Sequence, residues 1–170
     1  MAEYIRARKG VMTRDFTQNG LFNSEPAYSF MGDNKNYISV VQKLREIAPH
    51  TIPDYIRLIF MDTIIANPNR HTFNFGLLRN ADTGEIVFLS PNFDNNMALI
   101  SRGYLKNTSR KKDVLIGEFN ELIKYDSSLK KYIPVLTVED IRKVLLTTNM
   151  KVKTETVINY IISGYNQIKT

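Results

Sequence analysis

Cysteine is absent from the 170 residues. Disulfides and thiolate metal sites are therefore excluded, and a reducing cytoplasm is the expected compartment. Histidine is scarce. His50 and His71 are the two in the chain, too few for a zinc site built from histidines. No long apolar run occurs either. The most apolar stretch, Tyr55 to Ala66, is interrupted by Arg57 and Asp62 and falls short of the roughly 20 residues that a membrane-spanning helix requires. The first nine residues, Met1 to Lys9, are charged and lack an apolar h-region, so no secretory leader is expected. No internal repeat and no low-complexity tract is present.

What remains has the composition of one globular domain. Apolar residues make up 43% of the chain and charged residues 24%, enough to build a core and too apolar for wholesale disorder. The net charge of +6 suits an anionic partner such as a nucleotide, a nucleic acid or an acidic protein. It equally suits ordinary solubility.

Residues 1–35 mix turn residues with scattered aromatics and read as an extended, strand-poor connector. From Asn36 the pattern becomes helical, with Tyr37, Val40, Val41, Leu44 and Ile47 on one face. Thr51-Ile-Pro-Asp54 combines a candidate N-cap, an early proline and an acid three positions on. A helix is predicted from about 53 to 66, with its stripe at Ile56, Ile59, Phe60, Thr63 and Ile64. Asp62 falls off that stripe, as a polar helix position or as a brace for the loop that follows. Two short apolar runs, Phe75 to Leu78 and Ile86 to Leu89, flank the turn-rich Asn80-Ala-Asp-Thr-Gly84 and predict a β-hairpin. Residues 90–110 read as loop. Three further helices follow, marked by Leu115, Phe119, Leu122 and Ile123, then by Val138, Ile141, Val144 and Leu145, then by Val157, Tyr160, Ile161, Gly164 and Ile168. Thr137-Val-Glu-Asp140 starts the second of these. The expected class is mainly α (α+β), with one hairpin near the middle.

The segment richest in chemistry is Asn67-Pro-Asn-Arg-His-Thr-Phe-Asn74-Phe-Gly, followed twenty residues after Asn74 by Asp94 in Phe93-Asp94-Asn-Asn. Asn74 leads into the hairpin and Asp94 follows its exit, so the ladder brings both toward one edge. An amide oxygen with a carboxylate is a hard-cation donor pair, of the kind that Mg²⁺ completes with water and phosphate oxygens. Taken singly, Asn74 and Asp94 also suit ordinary turns.

This constellation resembles the catalytic and metal loops of protein kinases, and more closely those of the HipA-like serine/threonine kinases. There an Asn-x-Asp-Arg/Ala-His-x-x-Asn-Phe loop precedes a hairpin and a Tyr/Phe-Asp. The resemblance implies a kinase-like helical C-lobe over residues 36–170, with the hairpin carrying the catalytic and metal loops and residues 1–35 as connector. It implies Asn74 and Asp94 as ligands of Mg²⁺ and, through the metal, as the site of the ATP phosphates, and Asn67 and His71 as organisers of the catalytic loop. Asn69 stands where the family has its catalytic Asp. An amide cannot take the proton of a hydroxyl nucleophile, and general-base catalysis is worth on the order of 10²–10⁴ in rate, so phosphotransfer is expected to be lost or nearly so. A second departure is the lack of any Gly-x-Gly and of a strand lysine in a Val-Ala-Ile-Lys setting, the parts with which kinases grip phosphate. The family's N-terminal lobe supplies them, and the 35 residues before the first helix are too few to build it.

Three functions stay open at this point. The first is an inactive or incomplete kinase lobe that keeps its Mg²⁺/ATP site. The second is a non-enzymatic module that pairs with a separate N-lobe or a regulatory protein. The third is direct nucleic-acid binding, since the family includes toxin components of toxin–antitoxin pairs. No helix-turn-helix or aromatic stacking platform supports the third. Arg70 suits a phosphate grip as well as an ordinary ion pair. The stretch with Arg102, Lys106, Arg110, Lys111 and Lys112 reads as a solvated loop or an anion-facing surface, with Tyr104, Thr108 and Ser109 as unmarked hydroxyls.

Overall fold

The computed structural model describes residues 4–7, 10–13, 15–95, 97–99, 109–147 and 153–168. Arg102, Tyr104, Lys106 and Thr108 lie outside the described residues. Contacts divide the chain into two compact units. One takes the chain up to Tyr55 together with Asn69–Asp94. The other takes Ile56–Pro68 and the chain from Asn95 onward.

The first unit holds the sheet structure. Strands β1 (Tyr4–Ala7) and β2 (Gly10–Thr13) pair antiparallel, Tyr4 opposite Thr13. A second sheet has the order β3-β4-β5, from Phe22–Pro26, Gly76–Asn80 and Ile86–Leu89. The predicted hairpin is thus present as β4 and β5, with a bulge between Leu78 and Arg79. The strand-poor reading of residues 1–35 was mistaken: β3 adds to the free edge of β4, Phe22 opposite Asn80 and Pro26 opposite Gly76. Gly76 permits this close pairing, because a Cβ there would run into the backbone of Glu25 and lie 2.9 Å from the Pro26 Cα. A short helix α1 (Tyr28–Met31) follows β3, and α2 (Tyr37–Ile47) follows that. The Asn36 side chain caps α2 by accepting from the Ser39 N–H at 3.1 Å. Tyr37, Val40, Val41 and Leu44 are buried, as the helical spacing predicts.

The second unit is helical. Helix α3 (Ile52–Ile65) has Pro53 and Asp54 in its first turn, as expected, and its residues from Ile56 onward belong here. Ile56, Ile59, Phe60, Thr63 and Ile64 are buried, but so is Asp62, which the stripe had left outside. With α4 (Val114–Tyr125) and α6 (Thr154–Tyr165) it shares an aromatic centre, where Phe60 meets Phe119 and Tyr165 at ring separations of 6.1 Å, and α5 (Val138–Leu146) packs on α6. Asp113 caps α4 through the Leu115 and Ile116 N–H groups. Thr137 and Asp140 form the predicted capping box of α5. Among the described residues no helix is long and apolar enough to cross a membrane.

Candidate functional site

The end of α3 sets up the second unit's share of the candidate residues. Ala66 adopts φ 52°, a left-handed conformation usually left to glycine. The turn lets the Asn67 N–H reach back to the Asp62 carbonyl at 2.8 Å, the long bond of a Schellman stop, and Pro68 follows it. The Asn67 side chain returns to the same residue: its amide donates to Asp62 Oδ1 at 2.8 Å and to Asn95 Oδ1 at 3.2 Å. Asp62 is therefore not a solvated helix position. It is a buried carboxylate bound to Asn67, which is itself buried.

The cap of α3 has a second component that sequence reasoning missed. Arg110 is 1% exposed and donates to the carbonyls of Thr63 at 2.6 Å and Ile64 at 2.7 Å. Both carbonyls lie at a helix C-terminus, where acceptors run short of intrahelical donors and a cation is favoured by the helix dipole; the Thr63 carbonyl also takes the Ala66 N–H at 3.4 Å. The guanidinium pairs with Asp113 at 2.7 Å and lies over the Tyr160 ring at 4.9 Å. A basic loop surface is the wrong description of this residue. Lys111 and Lys112 beside it are exposed.

In the first unit, residues 69–75 form a tight turn ahead of β4. The Asn69 carbonyl accepts from the His71 N–H at 3.0 Å and from the Asn74 side-chain amide at 2.9 Å. Only the NH₂ end of Asn74 can donate to a carbonyl, so its amide orientation is fixed by chemistry. The opposite end, Oδ1, is the hard oxygen that a cation would use. Two further bonds dock the turn on the junction of β3 and α1: the Tyr28 N–H reaches the Thr72 carbonyl at 3.0 Å, and the Ala27 N–H the Phe75 carbonyl at 2.9 Å. The Tyr28 and Phe73 rings stack there at 4.5 Å. His71 is exposed, and its Nδ1 accepts from the Phe73 N–H at 3.3 Å, a local contact within the loop.

Asp94 lies after β5 in a left-handed conformation, φ 55°. Aspartate tolerates this region better than most residues, and such backbones concentrate at functional sites. The hairpin closes beneath it through the pair Ser90 N–H to Gly76 carbonyl at 2.8 Å and Gly76 N–H to Ser90 Oγ at 3.0 Å. The connection between the Asn74 turn and the Asp94 segment is Arg70. This side chain is 5% exposed. Its Nη1 donates to the Asn74 carbonyl at 2.6 Å and to the Phe93 carbonyl at 2.8 Å, and its Nη2 to Asn92 Oδ1 at 2.8 Å. Arg70 is thus a buried tie between two loops rather than an exposed phosphate grip. No cluster of three or more His, Cys, Asp or Glu with metal-holding geometry occurs among the described residues. The candidate donors are the Asn74 amide oxygen and the Asp94 carboxylate.

No family model matches the sequence, and no curated protein matches it. Among solved structures the chain is similar to the crystal structure of a Helicobacter pylori proinflammatory kinase CtkA, with 13% identity and a TM-score of 0.66, over 98% of this chain and 77% of that one. At that identity the likeness concerns the fold: the chain has a mainly helical, α+β, kinase-like fold.

Proposed function

We propose that this chain is a HipA-like kinase lobe that retains an Mg²⁺/ATP-phosphate site at Asn74 and Asp94 and has lost efficient phosphotransfer at Asn69. The observation that carries the reading is the Asn74 amide. Its nitrogen is committed to the Asn69 carbonyl, which presents its oxygen as a cation donor next to the residue that stands for the catalytic base. Arg70 supports the reading further by tying the Asn74 carbonyl to the carbonyl of Phe93, the residue just before Asp94. The metal would neutralise phosphate charge. The chain's own residues would hold it, with Asp94 giving the carboxylate and Asn74 the amide oxygen, while His71 organises the loop around Asn69 and Asn67 holds the end of α3. Asn69 orients a hydroxyl by hydrogen bonding but takes no proton from it.

Thermal unfolding with ATP, with Mg²⁺ and with both tests the site. Stabilisation that needs both ligands is expected, about 2.7 kcal/mol at a hundredfold excess over Kd. It should vanish in Asp94→Ala. Asn69→Asp should keep the stabilisation and gain ATP turnover. A shift that survives Asp94→Ala would refute the assignment.

A second reading, a non-enzymatic module that binds a partner, draws on the exposed apolar side chains around α5. Val135 is 84% exposed, Leu146 76% and Val144 63%. Self-association or partner capture lost on Val144→Lys, without any nucleotide effect in the wild type, would favour it.

A further inference from the structure

We infer that Arg70 is a positioning residue that sets the Asn74 and Asp94 segments against each other and acts on the metal only through them. The inference rests on the proposed metal site and names a residue that controls it.

The geometry leaves little room for a direct role. Both hydrogens of Nη1 are committed, one to the Asn74 carbonyl and one to the Phe93 carbonyl. Nη2 holds Asn92 Oδ1. The side chain is buried, so a phosphate would have to displace main-chain acceptors to reach it. The two carbonyls belong to residue 74 itself and to the residue before 94. A single planar, rigid group therefore fixes the two backbone points from which the donors project. Among the described residues the β4–β5 hairpin is tied at its open end by the bonds between Gly76 and Ser90. Without Arg70, two and four residues would separate Asn74 and Asp94 from the nearest β4–β5 bond, although the Ala27 N–H to Phe75 carbonyl bond still holds the chain beside Asn74. The guanidinium also places a positive charge near a proposed cation site. Pure electrostatics predicts that a neutral replacement strengthens metal binding, and positioning predicts that it weakens it. The two roles thus differ in sign.

The test is the affinity for ATP with Mn²⁺ and for ATP in chelator, measured for the wild type, Arg70→Gln, Arg70→Lys, Asp94→Ala and Arg70→Gln/Asp94→Ala, each below its own unfolding transition. Replacing a residue that orients a metal ligand commonly costs 10–100-fold in affinity, and a loss on the order of tenfold or more is expected for Arg70→Gln. The loss should be confined to the Mn²⁺ arm, be absent in the Asp94→Ala background, and be partly restored in Arg70→Lys. An equal loss in both backgrounds marks a general structural role and overturns the inference. So does an equal loss with metal-free ATP, which marks direct phosphate contact, or a gain in Mn²⁺ affinity. If the wild type itself binds no Mn²⁺ with ATP, the proposed metal site fails. Amide hydrogen exchange then still judges Arg70: in Arg70→Gln, residues 72–75 and 92–94 should lose protection together. Loss in one segment alone overturns the tie.

Discussion

Gly164→Ala should destabilise this protein, against the ordinary expectation for a mid-helix glycine. Alanine favours a helix interior over glycine by about 0.8–1.0 kcal/mol. Here a Cβ would overlap Nη1 of Arg110 and lie 3.0 Å from its Cζ. Arg110 has little freedom to retreat, since it is 1% exposed, bound to the Thr63 and Ile64 carbonyls and paired with Asp113. Overpacking of this kind costs about 1–3 kcal/mol, and losing one charge-assisted bond to a carbonyl adds about 1.5–3 kcal/mol. Allowing for the helix gain, the net loss is about 1.5–5 kcal/mol. In a chain of this length each kcal/mol moves Tm by about 2–4 °C, so a fall of several degrees is expected. Arg110→Ala alone should cost about 3–5 kcal/mol, because it removes the cation paired with Asp113 Oδ2 and the guanidinium donors of two helix-end carbonyls. In that background the obstacle to a Cβ is gone, and Gly164→Ala should stabilise by up to about 1 kcal/mol. Urea unfolding of the two single variants and the double variant reads this change of sign. A higher midpoint for Gly164→Ala in the wild type, or the same shift in both backgrounds, would refute the reasoning.

Two further outcomes follow from smaller features. Burial raises the Glu25 carboxyl, but the Ser29 hydroxyl and the Arg79 guanidinium at 2.6 Å outweigh it and hold its pKa below the ordinary value. A depressed folded value stabilises the protein above the unfolded carboxylate range, and that stability is lost as pH falls through the folded value. The stability gap between wild type and Glu25→Gln should therefore close as urea titrations move from about pH 7 to about pH 3; a gap that widens in acid contradicts the assignment. Thr137→Ala removes one arm of the α5 capping box and should cost about 0.5–2 kcal/mol, seen as a lower urea midpoint with an unchanged slope.

Local signals in the sequence were sufficient wherever one stretch of chain decides its own structure. The apolar spacing of α2, the proline and acid at the start of α3, the hairpin turn at Asn80 to Gly84 and the Thr137–Asp140 box are all of this type. Strand β3 was missed because Phe-Asn-Ser-Glu-Pro shows no clean alternation, and it becomes a strand through an edge of β4 that lies some fifty residues away. The buried polar residues were missed for a related reason. Asp62, Arg70 and Arg110 satisfy themselves on groups outside their own local pattern, several of them main-chain carbonyls, and no sequence pattern reports where a distant carbonyl will be. One trace of Arg110 was visible: a glycine at position 164 on the apolar face of α6, where packing against another group is the usual reason for its presence. For the candidate site, the positions of Asn74 and Asp94 at the two ends of the hairpin were legible from spacing, whereas the tie between them through Arg70 was not.

The Asn74 amide also limits charge. An aspartate at that position would turn a lone pair, rather than an N–H, toward the Asn69 carbonyl, so the turn itself calls for a neutral side chain. The candidate pair then offers a divalent ion one negative charge, half of what neutrality requires. On the proposed reading, a naked ion would reside there only briefly. Metal would arrive already chelated by its polyphosphate, and occupancy would follow the cell's supply of the metal–nucleotide complex rather than of the free ion.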